Sequence, residues 1–149
     1  MEAVRVRVLR LEHYPAEWDL PAYATAGSAA VDLRNAGPTL VLQPLERRAV
    51  PTGIAVALPA GTEAQVRPRS GLSLKRGVAV VNAPGTIDSD YRGEILVPLV
   101  NLDREPQEVA HGERIAQLVL APVLRLVWEP VPELPPTERG AGGFGSTGR

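Results

Sequence analysis

The chain has no cysteine. Disulfides, thiolate nucleophiles and zinc–thiolate sites are therefore excluded. It has two histidines, His13 in a polar loop and His111 in an Ala-His-Gly turn. A metal cluster or a Ser–His–Asp triad is not expected from so few. Aromatic residues make up only 4%, so the core has to be built from Val, Leu, Ile and Ala. Lysine is almost missing: Lys75 is the single example, and the positive charge is otherwise arginine. Arginine suits bidentate phosphate recognition, although such a bias also arises from genomic composition. Net charge is −1, which implies no general polyanion surface and no nucleic-acid partner. No apolar run approaches membrane-spanning length, and no signal-peptide pattern is visible. A soluble, cytoplasmic protein without a membrane partner is expected.

What is present is punctuation. Fifteen prolines and fourteen glycines are spread over 149 residues, a length that fits one domain with a real core. Between them lie short segments rich in Val, Ile and Leu. Residues 4–8 alternate with the period of a strand, and 39–43, 53–58, 62–66, 78–82, 94–101, 115–122 and 124–131 also read as strands. Many short strands with turn residues between them predict an all-β sandwich or barrel. Pro98 predicts an edge or a bulge in its strand. One short helix is expected, at 70–75. Residues 1–128 then form a single β domain, 129–138 a proline-rich spacer and 139–149 a glycine-rich arm.

The arm reads RGAGGFGSTGR and holds Phe144, the only phenylalanine. Phenylalanine is normally core material. Here it stands among five glycines with an arginine at each end. Such a segment can wrap a small anion: glycines let N–H groups approach, arginine brings charge and the ring covers a flat group. Four prolines between Glu129 and Thr137 stiffen the spacer, which can carry the arm on the order of 25 Å. The arm can therefore reach a neighbouring subunit.

Four further clusters carry chemistry. In 67–77, four positive charges occur without an acid, and Arg69-Ser70-Gly71 opens the expected helix. Free N–H groups, a hydroxyl and a guanidinium make an anion site, and Ser before a helical turn is equally an ordinary cap. In 82–94, Pro84-Gly85 marks a hairpin whose main chain can read a base edge. If the following stretch is extended, Asp88 and Asp90 share one face, and Ser89 and Tyr91 the other. A carboxylate there can deprotonate a water; Asp-Ser-Asp is also a common turn sequence. Asp32 sits alone in a run of small residues, and Gln117 enters a strand where its amide can donate to a phosphate oxygen.

The order of these clusters resembles the trimeric dUTPase family, whose members carry five short motifs. All five are recognisable: AGSAAVDL at 26–33, RPRSGLSLKRG at 67–77, GTIDSDYRGE at 85–94, GERIAQ at 112–117 and RGAGGFGSTG at 139–148. Pro84 departs from the small or apolar residue that many members have there. The resemblance implies a jelly-roll-like distorted β-barrel, a homotrimer with exchanged C-terminal arms, and hydrolysis of dUTP to dUMP and pyrophosphate with Mg²⁺. It also implies roles. Asp88 would activate the attacking water, Tyr91 would pack on the deoxyribose, and Asn82 with the hairpin through Thr86 and Ile87 would read uracil. Arg69, Ser70, Gly71 and Gln117 would hold phosphates. Asp32 would support the metal through water. Arg139, Phe144, Gly145, Ser146 and Thr147 would close over the substrate. Rival readings are a dCTP deaminase of the same superfamily, an RNA-binding module using the Arg-Gly-Phe arm, and a purely structural trimer. Residues 78–82 hold no spare acid for deamination, the arm does not repeat, and a structural role leaves the 69–70 and 88–91 clusters without purpose.

Overall fold

The structure is a computed structural model and describes residues 3–143. Ten strands and one helix follow in order: β1 (Arg7–Arg10), β2 (Val31–Arg34), β3 (Leu40–Leu42), β4 (Arg47–Ala57), β5 (Thr62–Pro68), α1 (Ser70–Arg76), β6 (Val78–Val80), β7 (Gly85–Ile87), β8 (Glu94–Asn101), β9 (Gln107–Val109) and β10 (Arg114–Pro122). They form two four-stranded sheets, ordered β1-β4-β8-β6 and β2-β10-β5-β7, and a β3-β9 ribbon. Every strand pairing is antiparallel. The expected all-β, jelly-roll-like architecture with one short helix is present; among the described residues the sheets do not close into a continuous barrel.

Period-two alternation decides the burial. In β8, Ile95, Val97 and Leu99 are fully buried while Leu96 between them is exposed. They meet Leu33, Val50, Val66 and Ile115 in one aliphatic core. Polar groups inside that core are satisfied. Asn101 donates to the carbonyls of Leu42 and Glu105, each at 2.9 Å, and its Oδ1 accepts the Asp103 amide at 2.8 Å. Thr52 Oγ1 donates to the Ile95 carbonyl at 2.6 Å. In the N-terminal loop the Tyr14 hydroxyl donates to the Asp19 carbonyl at 2.7 Å. Burial pushes its pKa up, with Arg10 and Arg34 opposing.

Three expectations shift. Residues 4–8 were expected as a strand, but the ladder runs from Arg7 to Arg10, set by pairing with Ile54 to Ala57. Pro98 lies in β8, an interior strand rather than an edge. Its carbonyl accepts the Val81 amide just past the end of β6. The N–H and C=O of one strand residue point the same way, so the missing N–H falls where β6 has run out. The register shift is on β4 instead, between Pro51 and Ala55. Finally, 124–131 carries no strand, and Leu124, Val127 and Trp128 are exposed by 97%, 91% and 83%.

Candidate active site

Sheet register brings distant segments into one row. Asp32 on β2 is opposite Gln117 on β10, and Gln117 is opposite Arg67 on β5. Asp32 then reaches along the sheet to the loop before α1. Its Oδ1 accepts Arg69 Nε at 3.0 Å, and its Oδ2 accepts Arg114 Nη1 at 3.2 Å. Arg69 Nη1 also donates to the Arg114 carbonyl at 3.3 Å. The carboxylate thus holds two guanidiniums, those of Arg69 and Arg114.

Arg69 is the N-cap residue of α1 and makes no side-chain cap bond, so Ser70 is the first helical residue. The Ser70 hydroxyl is not used as a cap. Gly77 ends the helix in the left-handed region, at φ 62°, donating to the Ser73 carbonyl. Gly71 has no heavy atom within 4 Å of where a Cβ would stand, and its φ is not positive. The protomer therefore gives no reason for a glycine at 71; a ligand approaching the backbone would. Arg69, Ser70, Gly71, Lys75 and Gln117 line a cavity of about 310 Å³.

A second cavity, of about 290 Å³, opens at β7 and is lined by Asn82, Thr86, Ile87, Asp88 and Tyr91. The hairpin expected at Pro84-Gly85 is not formed: β6 pairs with β8 and β7 with β5, so the turn carries the chain from one sheet to the other. The Ala83–Pro84 bond at its tip is cis. A Cβ on Gly85 would stand 3.2 Å from Asn82 Nδ2, so this glycine makes room for the amide. Asp88 follows β7 directly. The Tyr91 amide donates to the Asp88 carbonyl at 3.1 Å, which closes a turn. The extended geometry expected for 88–91 is absent for that reason, and Asp88 and Asp90 do not share a strand face. The Tyr91 hydroxyl donates to the Glu94 carbonyl at 2.9 Å.

The two cavities share no lining residue. They belong to strands on opposite flanks of β5, with β10 on one side and β7 on the other. Arg139 joins neither: its Nε donates to the Gly142 carbonyl at 2.8 Å. Phe144, Gly145, Ser146 and Thr147 lie outside the described residues. Two residues went unassigned in the sequence. Arg114 sits inside the GERIAQ motif and grips Asp32. Glu94 closes GTIDSDYRGE; its Oε1 accepts the Gly53 amide at 2.7 Å, where the register shift leaves that N–H without a ladder partner, and lies 2.7 Å from His13 Nε2. Register and bulge geometry, invisible in one strand alone, carry both roles.

Among the described residues no three His, Asp or Glu side chains converge as a metal cage. One carboxylate beside a phosphate-type pocket fits an ion held mainly by phosphate oxygens and water, as Mg²⁺ prefers. No helix among the described residues is long and apolar enough to cross a membrane.

One pocket thus offers cations and free N–H groups, the other an amide, an aromatic ring and a carboxylate: the two chemistries a nucleotide presents. The comparisons agree. The dUTPase family model matches residues 16–148. A deoxyuridine 5'-triphosphate nucleotidohydrolase of Methylocella silvestris is 56% identical, covering 99% of this chain and 93% of the relative. One of Wolbachia sp. subsp. Brugia malayi is 52% identical, over 98% and 95%. Among solved structures, the Staphylococcus bacteriophage 80alpha dUTPase with dUPNHPP superposes with a TM-score of 0.81 at 27% identity, covering 97% of this chain and 99% of that one. The chain belongs to the dUTPase family, and so to the hydrolases.

Proposed function

We propose that the protein hydrolyses dUTP to dUMP and pyrophosphate, keeping uracil out of DNA and supplying dUMP for thymidylate synthesis. The observation that carries this reading is the placement of Asp88 at the lip of an amide- and tyrosine-lined cavity, separate from an arginine-serine-glycine cavity. Asn82 and the β7 backbone at Thr86 and Ile87 take the uracil edge. Tyr91 covers the sugar. Arg69, Ser70, Gly71 and Gln117 take the phosphates, with Arg69 held in place by Asp32 before substrate arrives.

Asp88 accepts a proton from a water as the water oxygen bonds to the α-phosphorus. The bond from that phosphorus to the bridging oxygen breaks, and pyrophosphate leaves. Mg²⁺, when bound, would neutralise charge on the triphosphate, and Asp32 would support it through water. Arg139, Phe144, Gly145, Ser146 and Thr147 form the arm that closes the site and removes water.

The working unit is a homotrimer with exchanged arms. Two features support it: the two cavities share no residue, and the segment after β10 exposes Leu124, Leu126, Val127, Trp128 and Leu134. A patch of that kind needs a protein cover, and a second copy provides it. Residues 1–128 are then the β domain, 129–138 the spacer and 139–149 the lid, in a cytoplasmic enzyme. Pyrophosphate release with Mg²⁺ from a panel of dUTP, dCTP, dTTP and UTP tests the assignment. Release from dUTP alone supports it; release from none, or equal release from all, refutes it.

A further inference from the structure

We infer that Gly93 is a positioning residue for sugar selection, because only a residue without a side chain lets Tyr91 occupy its seat. The inference rests on the reading of Tyr91 as the group that faces the sugar. The Tyr91 ring folds back over its own chain. A Cβ built on Gly93 would stand 2.6 Å from Tyr91 Cζ and 3.0 Å from Cε2, and nearer still to the hydroxyl oxygen. The three nearest heavy atoms all belong to Tyr91.

The backbone does not explain this glycine. Gly93 is not among the glycines with positive φ, so an alanine fits its dihedral angles. It also lies outside the turn that closes between Asp88 and Tyr91. The ring is what Gly93 accommodates.

Tyr91 is also tethered. Its hydroxyl bonds the Glu94 carbonyl at 2.9 Å. Glu94 is itself pinned, since its carboxylate accepts the Gly53 amide and meets His13 Nε2, each at 2.7 Å. Gly93 thus makes room for the Tyr91 ring and Glu94 anchors it; Tyr91 and Glu94 both line the cavity at β7. Carbon contacts settle near about 3.5–4.0 Å, so a methyl at 93 moves the ring by roughly 1 Å and breaks the tether. A displacement of that size in a positioned group costs up to about a hundredfold in rate.

The test measures kcat/KM for dUTP and UTP, with Mg²⁺, in Gly93→Ala, Tyr91→Ala and the double variant, alongside thermal melts. Gly93→Ala should melt near the wild type, because only a half-exposed side chain has to yield. Its dUTP-to-UTP ratio should fall by about tenfold or more, and the double variant should match Tyr91→Ala. A wild-type ratio in Gly93→Ala beside a lowered ratio in Tyr91→Ala overturns the inference and leaves the sugar reading standing. An unchanged ratio in Tyr91→Ala removes both. If Gly93→Ala proves unstable, truncating Tyr91 should restore its melting temperature; no restoration refutes the clash. A crystal structure of Gly93→Ala with the Tyr91 hydroxyl still on the Glu94 carbonyl would also overturn it.

Discussion

Replacing Asp32 with asparagine keeps the shape of the side chain and removes its charge. In the native arrangement each carboxylate oxygen takes one guanidinium, Arg69 at 3.0 Å and Arg114 at 3.2 Å. An amide has one oxygen and one NH₂, so one arginine would face a donor. That contact is lost and the other weakens. A hydrogen bond to a charged group contributes about 1.5–3 kcal/mol. The Asp32, Arg69 and Arg114 side chains are 21%, 28% and 53% exposed, so solvent screening lowers this to about 1–2 kcal/mol. The loss falls on the pre-set orientation of Arg69. It should appear as a roughly five- to thirtyfold drop in kcat/KM for dUTP, together with a fall of about 2–8 °C in melting temperature, because the same contacts hold the unliganded fold. Steady-state pyrophosphate release in Asp32→Asn measures the first and calorimetry the second. Arg114→Met, which leaves the Arg69 contact in place, should cost less. An Asp32→Asn enzyme within twofold of wild type would show that the arginine clasp does not organise the phosphate pocket.

Asp88→Asn should abolish turnover while a non-hydrolysable dUTP analogue still binds in titration calorimetry, since shape is kept and the base is lost; normal turnover would reassign the water-activating role. Truncation after Pro136 should leave a folded, largely inactive protein by circular dichroism and pyrophosphate assay, and full activity would remove the arm from the mechanism. Asn101→Ala strips partners from the Leu42 and Glu105 carbonyls and the Asp103 amide; at about 1–3 kcal/mol for buried groups left unpaired, its melting temperature should drop by several degrees. An unchanged melt would mean that water replaces the amide.

The elements that announced themselves in the sequence are those whose signal is local. Glu94 to Asn101 is a short apolar run rich in Val, Ile and Leu between polar ends, and Ser70 to Arg76 is closed by Gly77, whose left-handed backbone ends a helix without strain. β2 hid because a run of small residues precedes Val31, and β9 because Gln107–Val109 is short and mostly polar. The stretch 124–131 has strand-forming residues but no ladder partner among the described residues, and a strand is defined by its neighbour. The site divides the same way. Asp88, Tyr91 and Arg69 stood out through the order of the five motifs, since each alone also reads as an ordinary turn or cap. The row Asp32–Gln117–Arg67 needed the register of three strands, and the grip of Arg114 on Asp32 needed the bulge between Arg114 and Ala116 that shifts that register.

The separation of the Asp88 cavity from the arginine cavity has a genetic consequence. In a trimer of the proposed kind, a mutant crippled at Arg69 still carries a sound Asp88, and a mutant crippled at Asp88 still carries a sound Arg69. Two inactive alleles expressed together would then regain activity in mixed assemblies, at a level fixed by how the subunits sort. Lesions within one cavity would never rescue each other, so the pattern of complementation would trace which residues a single copy supplies.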